Sequence, residues 1–73
     1  MTLNDLKQNH KAYSALITMW SELSRISRES ARRDIVQDFG WRYELKKEGE
    51  KISFHDTHAG DIFVYEPSRN EWV

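Results

Sequence analysis

At Gly40 the hydrophobic pattern of this 73-residue chain changes period. Upstream there is neither glycine nor proline, and apolar residues recur at intervals of three and four. Leu6, Tyr13, Leu16, Ile17, Trp20 and Leu23 fall on one helical stripe, with Asn9, Ser14, Ser21, Arg25 and Arg28 on the far side. Thr2 and Asp5 have the spacing of a capping box, which starts the helix. The stripe continues through Ser24, Ser27, Ala31 and Ile35 while its side chains shrink. An unbroken helix from residue 3 to 39 would run about 55 Å, longer than short strands can cover. A break is therefore expected in "SRES", residues 27–30, where serines compete for backbone hydrogen bonds. Ser27 or Ser30 then caps a second helix through Ala31, Ile35, Val36 and Phe39 to Gly40. The rival arrangement is one long helix whose small-residue stripe packs against a second copy, giving a homodimer.

Downstream the period is two. Trp41, Tyr43 and Leu45 alternate with Arg42, Glu44 and Lys46; "EGEK" is a turn; Ile52 and Phe54 alternate with Ser53 and His55. Gly60 marks a second turn, "DIFVYE" is a third strand, and Pro67 to Asn70 make a last turn into a short strand at "EWV". The expected fold is α+β: an N-terminal amphipathic helix, broken in two near residues 27–30, packed on a three- to four-stranded antiparallel β-meander. A single domain spans 1–73, with the helical part at 2–39 and the meander at 41–73. On the third strand Ile62 and Val64 are expected to join Trp41, Tyr43, Leu45, Ile52 and Phe54 beneath the helices. Phe63 and Tyr65 then point away, and Trp72 covers the edge, so that the sheet holds the tail. "VYEPSRNEW" resembles the hairpin of a kelch repeat, a resemblance that covers about 13 residues, occurs once and implies the local hairpin alone.

Composition narrows the function classes. The chain has no cysteine, which excludes disulfides and thiolate metal sites and fits a cytoplasmic location. No apolar run approaches the roughly 18 residues of a membrane span, so no membrane partner is expected. The net charge of -1 gives no global attraction to nucleic acid. There is no glycine-rich phosphate loop and no nucleophile elbow, and His10, at the border of the helix stripe, reads as a partly buried structural histidine. An enzyme is not expected, nor a cofactor.

Three polar or aromatic groupings remain. Phe63, Tyr65, Arg42, His55 and Trp72 are the expected protein-binding residues, with Phe63 and Tyr65 standing among Arg42, Glu44, Ser53 and His55 and Trp72 near the edge, because aromatics ringed by mixed charge anchor interfaces. Arg25, Arg28 and Arg32 share a helical stripe with Arg33 beside it, the arrangement a nucleic-acid binder would use, as a dimer with two such helices side by side. His55, His58 and Asp61 in "HDTHAGD" are weak candidate metal ligands, since a solvated turn uses the same residue types. The expected function is a small interaction module, a regulator or inhibitor that binds another macromolecule. Compact chains of this kind are common among phage and mobile-element proteins, which is an analogy. The alternative is nucleic-acid binding through the arginine stripe.

Overall fold

Thr2 opens the first helix in the computed structural model, which describes all 73 residues. Its hydroxyl accepts from the Asp5 backbone N–H (3.2 Å), and the Asp5 carboxylate accepts from the Thr2 N–H (2.9 Å), completing the capping box. The helical half holds three helices: α1 (Leu3–Lys7), α2 (His10–Ser24) and α3 (Arg28–Asp38). The first break lies where the sequence pattern shows none. Asn9 leaves helical geometry and caps α2, its side-chain oxygen accepting from the Ala12 N–H at 3.2 Å. The second break falls at residues 25–27, slightly before the expected "SRES". Arg25 takes a left-handed conformation (φ 57°) and its N–H bonds back to the Ser21 carbonyl. Ser27 then caps α3 by accepting from the Ser30 N–H. The single-helix arrangement, and the small-residue dimer seam that depended on it, are thereby replaced by a helical hairpin.

Helix α3 ends at Asp38, and Phe39 is already extended. Gly40 has φ 99°, and its N–H bonds to the Tyr43 carbonyl (2.8 Å), turning the chain into the sheet. Four antiparallel strands follow in chain order: β1 (Tyr43–Glu48), β2 (Lys51–Asp56), β3 (Asp61–Glu66) and β4 (Glu71–Trp72). The loops between them hold two, four and four residues, all even numbers. Even loops pair even-numbered residues with odd-numbered ones, so Leu45 faces Phe54, Phe54 faces Phe63, and Tyr65 faces Trp72. Paired residues share a face of the sheet.

That parity reverses one expectation. Phe63 and Tyr65 lie on the same face as Phe54, under the helices, and Ile62 and Val64 lie on the other. Trp41 is corrected too: it sits in the turn before β1, at 60% exposure, outside the core. Leu23, placed on the helix stripe, is exposed, whereas Ser21, placed on the far side, is buried and donates its hydroxyl to the Thr18 carbonyl. Because α2 closes at Ser24, Leu23 overhangs the corner instead of the sheet.

The core is one cluster in which Leu6, Leu16, Trp20, Ala31 and Ile35 from the helices meet Tyr43, Phe54, Tyr65 and Trp72 from the sheet. Its centre is aromatic. Trp20 stands edge-on to Tyr43 (5.1 Å between centroids) and to Phe54 (5.8 Å), while Tyr43 and Phe54 stack at 5.3 Å. Such pairs add about 0.5–1.5 kcal/mol each to area burial. The tail is held as expected: Trp72 lies against Tyr65, its indole N–H donates to the Ala12 carbonyl (2.9 Å), and Val73 exchanges two backbone bonds with Val64. No helix is long and apolar enough to cross a membrane.

Candidate functional site

Two carboxylates at the helix–sheet seam carry most of the buried polar chemistry, and protein donors occupy both. Asp34 on α3 accepts from the Trp20 indole N–H (2.9 Å) and from the Tyr43 hydroxyl (3.0 Å). Burial first, then the hydrogen bond to Asp34, holds the Tyr43 phenol above its ordinary range. Asp56, at the end of β2, is 2% exposed. It accepts from the Arg42 guanidinium at both oxygens (3.3 and 3.2 Å) and from the backbone N–H groups of His58 and Ala59. Burial pushes the Asp56 carboxyl up, but these donors, Arg42 foremost, outweigh it and hold the group below the usual carboxylate value. Arg42 also lies over the Tyr43 ring at 5.0 Å. No buried side-chain nitrogen or oxygen lacks a partner.

The same bonds build an exposed corner. Thr57, in the β2–β3 loop, donates both its N–H (2.8 Å) and its hydroxyl (2.9 Å) to the Arg42 carbonyl. The Arg42 N–H bonds to the Asp38 carbonyl (3.0 Å). Between these ties stands Trp41, whose indole packs edge-on to the His58 ring at 4.8 Å and otherwise faces solvent. Its backbone neighbours are fixed on both sides, so the ring is presented by a rigid frame. Trp41 was not among the residues the sequence pattern assigned to a surface, since its alternation with Tyr43 and Leu45 reads as strand. Gly40, immediately before it, is the signal that the chain turns there.

The outer face of the sheet is the second open surface. Continuing the strand registers gives three rows across it. The first is Glu48, Lys51, Glu66 and Glu71; the second Lys46, Ser53, Val64 and Val73; the third Glu44, His55 and Ile62. Ile62 and Val73 are 58% and 61% exposed, and no helix covers this side. A shallow depression of about 200 Å³ sits among Lys46, Lys51, Ser53, His55, Ile62 and Val64. The Ser53 hydroxyl and His55 Nε2 share a hydrogen bond of 2.9 Å across its floor.

Of the five residues expected to bind a partner, Tyr65 and Trp72 are buried and Phe63 is half-buried against the core; the Tyr65 hydroxyl donates to Asn70 (2.6 Å). Arg42 is tied to Asp56, and His55 alone stands on the outer face. The candidate metal ligands are not brought together: His55 is on that face, His58 is against Trp41, and Asp61 pairs across the strand ladder with Asp56. No cluster of three or more metal-ligating side chains exists. The arginine stripe is divided by the corner at residues 25–27. Arg25 lies in the corner itself, and Arg28 reaches back to donate to Ser14 and to the Thr18 hydroxyl, stitching α3 to α2. Arg33 pairs with Glu29 (3.3 Å), and Arg32 is exposed and in no ion pair. His10 opens α2 and is exposed instead of standing against the core.

The chain matches no protein-family model, no curated protein and no solved structure.

Proposed function

We propose that this protein is a small non-enzymatic protein-binding module, a regulator or inhibitor that works by occupying the surface of another macromolecule, and that Trp41 is its anchor. One observation carries the reading: a tryptophan 60% exposed, on a corner locked by the Thr57 and Arg42 hydrogen bonds. Leaving an indole in water forgoes about 1–2 kcal/mol of burial, which a partner's pocket recovers. A frame already rigid loses little entropy on docking, and tryptophan is among the residue types enriched as interface anchors. The non-enzymatic reading draws support from Asp56, buried with both oxygens taken up by structural donors, and from Asp34, whose Oδ2 accepts from Trp20 and Tyr43. A cytoplasmic location belongs to the same proposal and rests on the cysteine-free composition.

The test is affinity capture from an extract of the source cell with the wild-type protein and with Trp41→Ala, after equal unfolding midpoints show that both are folded. The wild type is expected to retain a protein at both low and high salt, and the variant to lose it. Equal retention by the two proteins overturns the anchor. Retention of nucleic acid that vanishes as salt rises and needs Arg32 would move the function to the arginine-based alternative.

A further inference from the structure

We infer that the Trp41 corner receives an arginine side chain from a basic segment of the partner protein, its guanidinium lying on the indole with the carboxylates of Asp38 and Asp61 beside it. The inference rests on Trp41 being the anchor proposed above and adds the chemistry of what that anchor meets. Charge carries it. The stretches that converge on this corner, residues 34–44 and 55–62, hold five carboxylates, Asp34, Asp38, Glu44, Asp56 and Asp61, against one cationic side chain, Arg42. Arg42 is matched by Asp56 at 3.2 Å, and the other four carboxylates enter no ion pair. The whole chain stands at only -1, so the rest of the molecule is net positive and the negative charge is gathered around the exposed indole.

The frame of the corner brings Asp38 and Asp61 to Trp41. The Asp38 carbonyl accepts from the Arg42 N–H (3.0 Å), one residue past the indole. Asp61 pairs across the ladder with Asp56, which accepts from the His58 N–H (3.1 Å), and the His58 ring packs edge-on to Trp41. Asp38 is also unfavourably placed within its own helix. It stands in the last turn of α3, which has no basic residue, and there the negative end of the helix dipole disfavours a carboxylate. A cation arriving at Trp41 relieves both the carboxylate and the helix end.

The same geometry selects the cation. The carboxylates are spread along the rim and nowhere gather into a group of three that could hold a metal ion. A phosphate backbone would be repelled by them. A flat, delocalised charge on a long side chain fits, since guanidinium stacks on indole and donates from its edge to carboxylates.

The probe is the peptide acetyl-Gly-Arg-Arg-Gly-amide, titrated into the isotope-labelled full chain and followed by its amide and indole N–H resonances, with acetyl-Gly-Glu-Glu-Gly-amide as the control. Trp20 and Trp72 serve as internal references, because their indole N–H groups are bonded to Asp34 and to Ala12. The arginine peptide is expected to move the Trp41 indole resonance with a dissociation constant on the order of 1 mM, and the glutamate peptide to leave it in place. Asp38→Asn should weaken binding about twofold to threefold, and Asp61→Lys about fivefold. Asp38→Asn should nevertheless be at least as stable in urea as the wild type, since the helix end is relieved. A Trp41 resonance that stays still, or that moves equally with both peptides, overturns the inference. So do shifts confined to Glu66 and Glu71 on the outer face, unchanged affinity in both aspartate variants, or a lower urea midpoint for Asp38→Asn. The capture experiment separates this inference from the anchor: a partner lost with Trp41→Ala but fully kept by a folded Asp38→Asn, Asp61→Lys double variant overturns the arginine alone, whereas equal capture by Trp41→Ala overturns the anchor.

Discussion

Trp20 and Tyr43, twenty-three positions apart on α2 and β1, donate to the same carboxylate oxygen, Oδ2 of Asp34, while their rings meet edge-on at 5.1 Å. One acceptor on α3 thus fixes the spacing of a helix and a strand. Removing it by Asp34→Ala strands two donors in the seam, and each unpaired buried donor costs about 1–3 kcal/mol. The expected loss is about 2–4 kcal/mol. Asp34→Asn, which keeps an acceptor oxygen, should lose less than half of that. Urea midpoints of the two variants are the measurement, and equal losses would mean that the shared acceptor is not the cause.

Asp56 gives the fold an acid limit. Its folded pKa is depressed, so its contribution is present above the ordinary aspartate value of 3.8 and disappears as pH falls through the lower folded value. Thermal unfolding followed from pH 6 to pH 2 should show stability falling steeply below about pH 4. Arg42→Ala removes the main donor and leaves a buried carboxylate with backbone partners alone. It should cost about 2 kcal/mol at neutral pH and flatten that acid slope. A variant with the wild-type slope would break the link between this pair and acid sensitivity.

Tyr43 sets the alkaline side. Its phenol is held protonated beyond the ordinary 10.0, so the stability it contributes is complete below that pH and is lost as pH rises through the elevated folded value. Alkaline unfolding monitored by circular dichroism should therefore begin above about pH 10. In Tyr43→Phe the hydroxyl and its titration are both gone. That variant should be less stable at pH 7 by about 1 kcal/mol and should lose less of its remaining stability between pH 10 and 11. An unchanged alkaline limb would assign it to other groups.

Arg25 is the strained residue of the helical hairpin. A side chain in the left-handed region meets the following carbonyl, a clash of about 1–2 kcal/mol that glycine escapes. Arg25→Gly keeps the capping geometry and should stabilise the protein by about 0.5–1 kcal/mol, the strain relief less the entropy that glycine loses on folding. A lower urea midpoint would show instead that the arginine side chain holds the corner.

The sequence was informative wherever a single local cause decides the structure. The Thr2–Asp5 box, the Ser27 cap and the turn glycines each act within a few residues, and the helix-then-meander order followed from the change of period. The break at Asn9 escaped because the apolar spacing from Leu6 to Tyr13 is compatible with a continuous helix; only the asparagine's taste for capping marks it. Trp41 was misplaced because two-residue alternation runs on through a turn. The faces of β3 were undecidable from the strand itself, which carries apolar residues on both sides; its loop lengths settle them. With that inversion Phe63 and Tyr65 went to the core, and the candidate surface moved to Trp41 and to Ile62, two residues whose exposure depends on tertiary placement.

The pairing of β3 against β2 decides which way its aromatics face. A slip by one residue while the chain folds would bring Ile62, Val64 and Glu66 under the helices and turn Phe63 and Tyr65 to water, whereas a slip by two would keep the faces and only shorten the ladder. An extra residue at the tips after Asp56 or Glu66 leaves the pairing as it is, so those tips are where the chain tolerates insertion.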